Sequence, residues 1–181
     1  MHHPAWLCRI AIPPGLLLAV ALMAMAAAPL SVSQAAPLAA PQGEVLLRVA
    51  GNIAATNNGD ELHLDREQLM AIDTQVIETS TPWTEGVNRF EGPLFRSVLE
   101  AAGARGEHVR VRTLNDYTVD ISLSELQQYD VILALQQDGV PLEVRELGPV
   151  FVLYPFDEHP ELFNQSVRHR SAWHVISVEV L

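Results

Sequence analysis

Residues 90–103, with the sequence FEGPLFRSVLEAAG, contain the clearest helical pattern of the chain. Pro93 suits the first helical position, where a missing N–H breaks no hydrogen bond, and Gly103 suits the position after the last turn. The apolar residues between them have the spacing of one helix face: Leu94, Phe95, Val98, Leu99 and Ala102. We therefore predict a helix that begins at Pro93, ends before Gly103 and buries one side.

Strand patterns surround this helix. Alternating polarity and runs of apolar or β-branched residues predict strands at 44–51, 61–64, 74–79, 109–113, 117–121, 131–135, 150–154 and 172–180. The stretch 131–135 is apolar throughout, which predicts a central buried strand, and Asn115-Asp116 predicts a hairpin turn. Capping-box patterns at Asp65 and Ser122 predict two further short helices. Because such helices are too few to cover a parallel sheet, we predict an α+β fold with a mixed sheet and short peripheral helices.

The N-terminal segment has the pattern of a secretion leader. Arg9 precedes an uncharged apolar stretch at 16–28, and small residues precede a cleavage site after Ala35, with Ala28 as the alternative. An uncleaved anchor is the competing interpretation, but the apolar run is shorter than the roughly 20 residues of a spanning helix. We expect a signal peptide at 1–35, a flexible tether at 36–43 and one domain at 44–181. This organisation predicts a periplasmic or secreted protein with no membrane insertion after cleavage.

The composition excludes several kinds of chemistry. The net charge is −11 and every basic residue is arginine, so nucleic acid is not an expected partner and lysine-based covalent catalysis is excluded. The only cysteine, Cys8, lies in the predicted leader. The exported chain therefore has no thiol, which excludes disulfides, zinc–thiolate sites and iron–sulfur clusters.

Metal and nucleotide motifs are also missing from the sequence. No two histidines after the leader are two, three or four residues apart, so no local metal-binding pair is present. The acidic stretch Asp157-Glu158-His159 supplies too few ligands and fits a solvated loop better than a metal site. No G-x-S-x-G, G-x-G-x-x-G or Walker motif occurs. We expect no metal site and assign no catalytic residue.

Two polar segments are candidates for a binding site. Thr79 to Trp83 places hydroxyls and an indole in a loop after a strand, which suits either a pocket wall or a capped turn. Arg168 and Arg170 suit either an anion site, if both lie on one strand face, or pairing with the many acidic residues. Tyr117 and Trp173 are predicted to be core aromatics with a polar end.

Several segments in order carry a family resemblance. They are Phe90–Phe95 followed by Val98–Gly103, Asn115–Ile121, Leu133-Ala134 with Asp138–Leu142, and Gly148–Phe151. Together these segments resemble the oxidoreductase molybdopterin-binding domain of the sulfite oxidase family, from about Leu46 to Val180. The resemblance implies that the single mixed-sheet domain has the sulfite oxidase molybdopterin-binding fold.

The resemblance also implies a cofactor, and here the chain departs from the family. Active members hold molybdenum through a dithiolene pterin and one cysteine, and they oxidise sulfite or reduce sulfoxides. The cysteine position falls at or near Thr79 and Ser80, and Leu147 and Phe151 stand where catalytic members have basic residues flanking the Gly-x-Pro motif. A hydroxyl does not replace a soft thiolate on molybdenum.

Three functions follow from this comparison. The first is an exported domain of the molybdopterin-dependent oxidoreductase type without molybdenum catalysis, which acts as a binding or sensory module for a periplasmic protein or a small anionic ligand. The second is an enzyme that retains molybdopterin with a hydroxyl or solvent ligand; Thr79, Ser80, Trp83, Arg89 and Tyr117 would then surround the pterin. The third is a small-anion binder that uses Arg168 and Arg170. We expect no cofactor in the first and third cases.

Overall fold

The structure is a computed structural model, and it describes residues 38–181. The predicted signal peptide, its cleavage site at Ala35 and Cys8 lie outside the described residues. The predicted tether is described from Leu38 onward. The backbone N–H groups of Gln42 and Gly43 donate to the Asp65 carboxylate at 2.7 and 2.9 Å.

The secondary structure consists of short elements. The strands are β1 (Val45–Gly51), β2 (Leu62–Asp65), β3 (Thr74–Ser80), β4 (Val87–Pro93), β5 (His108–Thr113), β6 (Thr118–Ser122), β7 (Ile132–Ala134), β8 (Gln136–Gln137), β9 (Val140–Pro141), β10 (Phe151–Leu153) and β11 (Val175–Val180). The helices are α1 (Arg66–Met70), α2 (Phe95–Ala101), α3 (Leu123–Gln128) and α4 (Gln165–Arg170), with a 3-10 turn at Pro160–Leu162. Within residues 38–181, no helix is long and apolar enough to cross a membrane.

The strands form two main sheets and one additional pair. The larger sheet has the order β2-β1-β11-β5-β6, in which only β1 and β11 run parallel. The second sheet has the order β3-β4-β8-β9, and β7 pairs with β10. Mixed sheets with short helices confirm the predicted α+β fold.

The core forms where the inward faces of these sheets meet the short helices. β1 buries Leu47 and Val49 while Arg48 faces solvent, as its alternating sequence predicts. Gly92 of β4 lies against β7 so closely that a Cβ atom there would overlap the carbonyl oxygen of Leu133. Because Gly92 has no side chain, the two strands approach backbone to backbone.

The capping box at Asp65 is confirmed. The Asp65 carboxylate accepts from the backbone N–H of Gln68 at 2.9 Å, and the Gln68 side chain accepts from the Asp65 N–H at 3.1 Å. The corresponding prediction at Ser122 is only partly right. Ser122 is the N-cap of α3, but its hydroxyl bonds the Ser124 hydroxyl and caps no backbone N–H.

The predicted start of the main helix is wrong by two residues. Pro93 is the last residue of β4, paired with Thr74, and α2 begins at Phe95. The N–H of Leu94 donates to Asp73 and that of Phe95 to Val131, so contacts with distant segments extend the strand through Pro93. The strand β4 itself was not predicted.

Three further expectations need correction. The apolar stretch at 131–135 is fully buried, but its strand β7 pairs only with β10 and is not central in a large sheet. Arg168 and Arg170 lie on helix α4, not on a strand, because Asn164 caps this segment through the N–H of Val167. Tyr117 and Trp173 are 42% and 37% exposed, so they are not core residues.

Candidate functional site

A cavity of about 720 Å³ opens between three segments of the fold. It is bounded by the loop after β3, the β5–β6 turn, and helix α4 with the residues that lead into β11. This volume lies in the usual range for sites that bind small molecules. Among the described residues that line the cavity, none is acidic, although the chain as a whole carries a net charge of −11.

Trp83 forms one wall. The Thr81 hydroxyl accepts from the backbone N–H groups of Trp83 and Thr84 at 3.2 and 3.1 Å, which fixes the turn after β3. The Trp83 indole meets Phe151 edge to face at 5.7 Å between ring centroids, and it also contacts Phe156 at 6.4 Å. Core aromatics therefore hold Trp83 in place behind the cavity.

Trp173 forms the adjoining wall. Its indole centroid lies 5.3 Å from that of Trp83, with the planes inclined at 59°. The next residue, His174, has a left-handed backbone with φ of 59°, a conformation that costs a residue with a side chain about 1–2 kcal/mol. The His174 carbonyl accepts from Leu114, and its ring bonds the Glu146 carbonyl at 3.1 Å. These bonds hold the chain reversal that presents Trp173 to the cavity.

The β5–β6 hairpin supplies the third aromatic side chain. Its turn contains Asp116 in the left-handed region, as expected for an Asn-Asp turn. The Tyr117 hydroxyl donates to the carbonyl oxygen of His169 at 3.0 Å. The hairpin is thereby tied to α4, and the Tyr117 ring lines the space between them.

Helix α4 supplies the basic groups of the cavity. Arg168 and His169 line it, and the Arg168 guanidinium lies 5.0 Å above the Phe163 ring. Arg168 has no carboxylate partner among residues 38–181. Its guanidinium instead contacts the Phe163 ring, which is not one of the residues that line the cavity.

Arg170 has a different role. Its Nε donates to Glu125 Oε1 at 2.8 Å, and the Tyr154 hydroxyl donates to the same oxygen at 2.5 Å. Burial, and then the hydrogen bond to Glu125, raise the pKa of the Tyr154 phenol above its usual range. The triad joins α4 to α3 and to the segment after β10, so Arg170 fixes the helix that carries Arg168.

The hydroxyls at the end of β3 are used within the protein. Thr79 is fully buried; its hydroxyl donates to the Ser80 carbonyl and accepts from the Asp157 N–H, each at 3.1 Å. The Ser80 N–H and hydroxyl both donate to the Asp157 carboxylate, at 2.8 and 2.6 Å. Neither residue lines the cavity.

These residues do not fit a molybdenum ligand set. The only groups at the position that the resemblance gives to cysteine are hydroxyls, and their protons are donated to protein oxygen atoms. The Asp157 carboxylate beside them adds negative charge where an anionic cofactor would have to lie. Residues 38–181 also contain no cluster of three or more His, Cys, Asp or Glu side chains arranged around a metal position.

The cavity brings together three of the residues that the sequence marked: Trp83, Tyr117 and Arg168. Arg89 lies elsewhere, in an exposed pair with Glu91 at 2.9 Å. Trp173 and His169 also line the cavity. The sequence pattern had predicted Trp173 to be a core residue and had predicted no role for His169. The pairing Val175↔Thr113 between β11 and β5 brings Trp173 beside the hairpin turn, and no local pattern reports such a contact.

A sequence model of the family described as "Oxidoreductase molybdopterin binding domain" matches residues 49–156. The match begins within β1 and ends after β10. It includes Thr79, Trp83 and Tyr117 and ends before Arg168 and Trp173. No curated protein gives a significant match to the chain.

Proposed function

The chain belongs to the oxidoreductase molybdopterin-binding domain family, and we propose that it uses this fold as an exported binding module without catalysis at molybdenum. The binding site in this proposal is the cavity between Trp83, Tyr117 and Trp173. Occupancy of the cavity is the signal that the module passes to a periplasmic partner protein.

The environment of Thr79 carries the proposal. The family resemblance places a cysteine thiolate on the metal, and the chain after its predicted leader contains no thiol. A buried hydroxyl that donates to the Ser80 carbonyl and accepts from Asp157 is held by protein partners on both sides. Because this network includes Ser80 as well, neither hydroxyl is free to coordinate a metal.

The cavity supports a role in binding. Three aromatic side chains border a space of about 720 Å³ together with Arg168, which forms no ion pair within residues 38–181. The aromatic side chains around this space expose apolar surface, which reduces solubility. A domain with a purely structural role would gain nothing from such a surface. Small-molecule sites combine apolar walls with a few polar groups in this way.

Export is supported by the leader pattern and by the charge. An apolar segment after Arg9 and small residues before Ala35 are typical of a signal peptide. The excess of acidic residues disfavours nucleic acid and anionic lipid as partners.

The third function, small-anion binding, is favoured by one specific observation. Arg168 borders a cavity that no acidic residue of the described part of the chain lines, whereas Arg170 is paired with Glu125. An anion site in this protein would therefore rest on Arg168 and not on both arginines. This function is compatible with the binding module and restricts its ligand to small anions.

Metal analysis tests the proposal. The protein is purified from the periplasm of cells supplied with molybdenum, and a cysteine-containing member of the family is expressed in the same strain as a positive control. We expect the control to contain molybdenum and this protein to contain less than a tenth of an equivalent. Near-stoichiometric molybdenum in this protein would show that the proposal is wrong.

A double variant, T79A with S80A, separates the enzyme from the binding module. If a hydroxyl held the metal, this variant would lose any bound cofactor and any redox activity. We expect no change in either, and only a moderate loss of stability because the hydrogen bonds of the two hydroxyls with Asp157 disappear while that of the backbone N–H at position 80 remains.

A further inference from the structure

We propose that the ligand of the cavity is a planar aromatic molecule with one anionic group, of the aromatic carboxylate class. This inference rests on the proposed binding function and names its ligand. It follows from the charge at one end of the cavity, the aromatic surface at the other, and the hydrogen bonds already formed within the wall.

Arg168 identifies the anionic end. Most of the exposed arginines among residues 38–181 have a carboxylate partner, as Arg89, Arg110, Arg112 and Arg145 do, and the half-buried Arg96 has one as well. Arg48 and Arg105 have no such pair within these residues, but the cavities that they line also contain acidic side chains. Arg168 differs from both, because within the same residues it has no carboxylate partner and no acidic side chain lines its cavity. A carboxylate satisfies that guanidinium with two parallel hydrogen bonds.

The aromatic side chains identify the other end. Trp83 and Trp173 meet at 5.3 Å, and Tyr117 closes the same space from the hairpin. Trp173 and Tyr117 keep 37% and 42% of their surface exposed, which is a large aromatic area to leave in water. A planar ring covers this surface and stacks on the indole faces.

The hydrogen bonds of the wall argue against a sugar or another polyhydroxylated ligand. The hydroxyls of Thr113, Tyr117 and Ser171 donate to Asn115, His169 and Val167 respectively. A sugar needs several free polar partners, and these hydroxyl protons are already used within the protein. Besides stacking and the contact with Arg168, the wall leaves only the Asn115 amide nitrogen and the side chains of Gln165 and His169 available for polar contacts.

The test uses three probes with one carbon skeleton: 2-naphthoate, its neutral amide 2-naphthamide, and the saturated decahydro-2-naphthoate. Their dissociation constants are measured by calorimetry with the full chain. We expect 2-naphthoate to bind at least about tenfold more tightly than either of the others, since each comparison removes the charge-assisted contact or the stacking. Equal affinity for 2-naphthoate and either of the other probes would overturn the inference.

Variants locate the site. R168Q should weaken 2-naphthoate binding by about tenfold or more and leave 2-naphthamide unchanged, whereas R168K should lose less because it keeps the charge. R96Q removes the same charge from α2, away from the cavity, and should leave both affinities unchanged. An unchanged affinity of R168Q for 2-naphthoate contradicts the inference, and thermal unfolding of each variant confirms that it is folded.

The two proposals fail separately. If 2-naphthoate does not bind at millimolar concentration while the protein is free of molybdenum, the ligand class is wrong and the binding module remains. If molybdenum is found in near-stoichiometric amount, the proposed function itself is wrong.

Discussion

The indole rings of Trp83 and Trp173 contact each other with their centroids 5.3 Å apart, but only Trp83 is also held by the core. Trp83 packs against Phe151 and Phe156, whereas Trp173 keeps more than a third of its surface in solvent. The pair therefore consists of one anchored ring and one ring presented to the cavity.

This difference predicts that alanine substitutions of the two tryptophans lower the free energy of unfolding by different amounts. W83A should lower the free energy of unfolding by about 3 kcal/mol, because it leaves a void beside two phenylalanines. W173A should cost only about 1 kcal/mol, the value of an aromatic pair, yet it should weaken 2-naphthoate binding several-fold. Urea unfolding and calorimetry measure the two effects. Equal losses of stability would indicate that Trp173 is a structural residue and not a ligand surface.

The triad of Arg170, Glu125 and Tyr154 gives a second prediction. R170Q should lower the free energy of unfolding by about 2 kcal/mol, because Glu125 loses its ion pair in a partly buried position. R112Q, which breaks an exposed pair with Asp116, should change it by less than about 0.5 kcal/mol. If both variants lose the same stability, Arg170 does not anchor α4.

Tyr154 makes a related prediction about alkaline pH. Burial and the Glu125 hydrogen bond raise the phenol's pKa in the folded state, while in the unfolded chain it ionises near pH 10. Its contribution to stability is therefore complete below about pH 10 and is lost as the pH rises further. Y154F should lose less stability than the wild type between about pH 10 and 11.5, as measured by urea unfolding. Parallel pH profiles would contradict this.

Local patterns could be predicted from the sequence, because their determinants are a few residues apart. The Asp65 capping box spans the four residues from Asp65 to Gln68, and the hairpin at Asn115-Asp116 is a turn between adjacent strands. Strand β4 could not be predicted in this way. Its sequence between Val87 and Pro93 shows no alternating polarity and ends in Gly-Pro, and the strand forms because it pairs with β3 along its whole length.

The site shows the same limit. Arg168 and Arg170 are two residues apart, which places them on one face of a strand but on different sides of a helix. The N-cap at Asn164 determines that this segment forms the helix α4. The contact of Arg170 with Glu125 then gives the two guanidinium groups separate roles. Trp173 reaches Trp83 across ninety residues of sequence through pairing of β11 with β5, and sequence periodicity contains no information about this.

The hydrogen bonds of the Asp65 carboxylate predict how the stability of the protein changes in acid. Its carboxylate accepts N–H groups from Gln68, Gly43 and Gln42, which hold its pKa below the usual value. The stabilisation is present above about pH 4 and is lost as the pH falls below that value. D65N should therefore flatten the loss of stability between about pH 4 and 2, and D65A should cost about 1–2 kcal/mol at pH 7.

The matched control is D60N, which removes the same charge from an exposed turn residue. Urea unfolding across this pH range compares the three variants. A wild-type acid profile in D65N would show that Asp65 does not stabilise the start of α1 through its charge.

Gly92 makes the sharpest prediction about the fold, because the backbone of β7 occupies the space that any side chain there would need. A Cβ atom would overlap the Leu133 carbonyl, and the atoms nearest to it all belong to the backbone of Leu133 and Ala134, so no flexible side chain can move aside to make room. G92A should thus lower the free energy of unfolding by about 3 kcal/mol, the upper range for an overpacked core. The control is G43A, where a Cβ would meet Asp65 atoms at an ordinary 3.7 Å and should have little effect. If urea unfolding gives the two variants the same stability, β4 and β7 do not need the close approach that Gly92 allows.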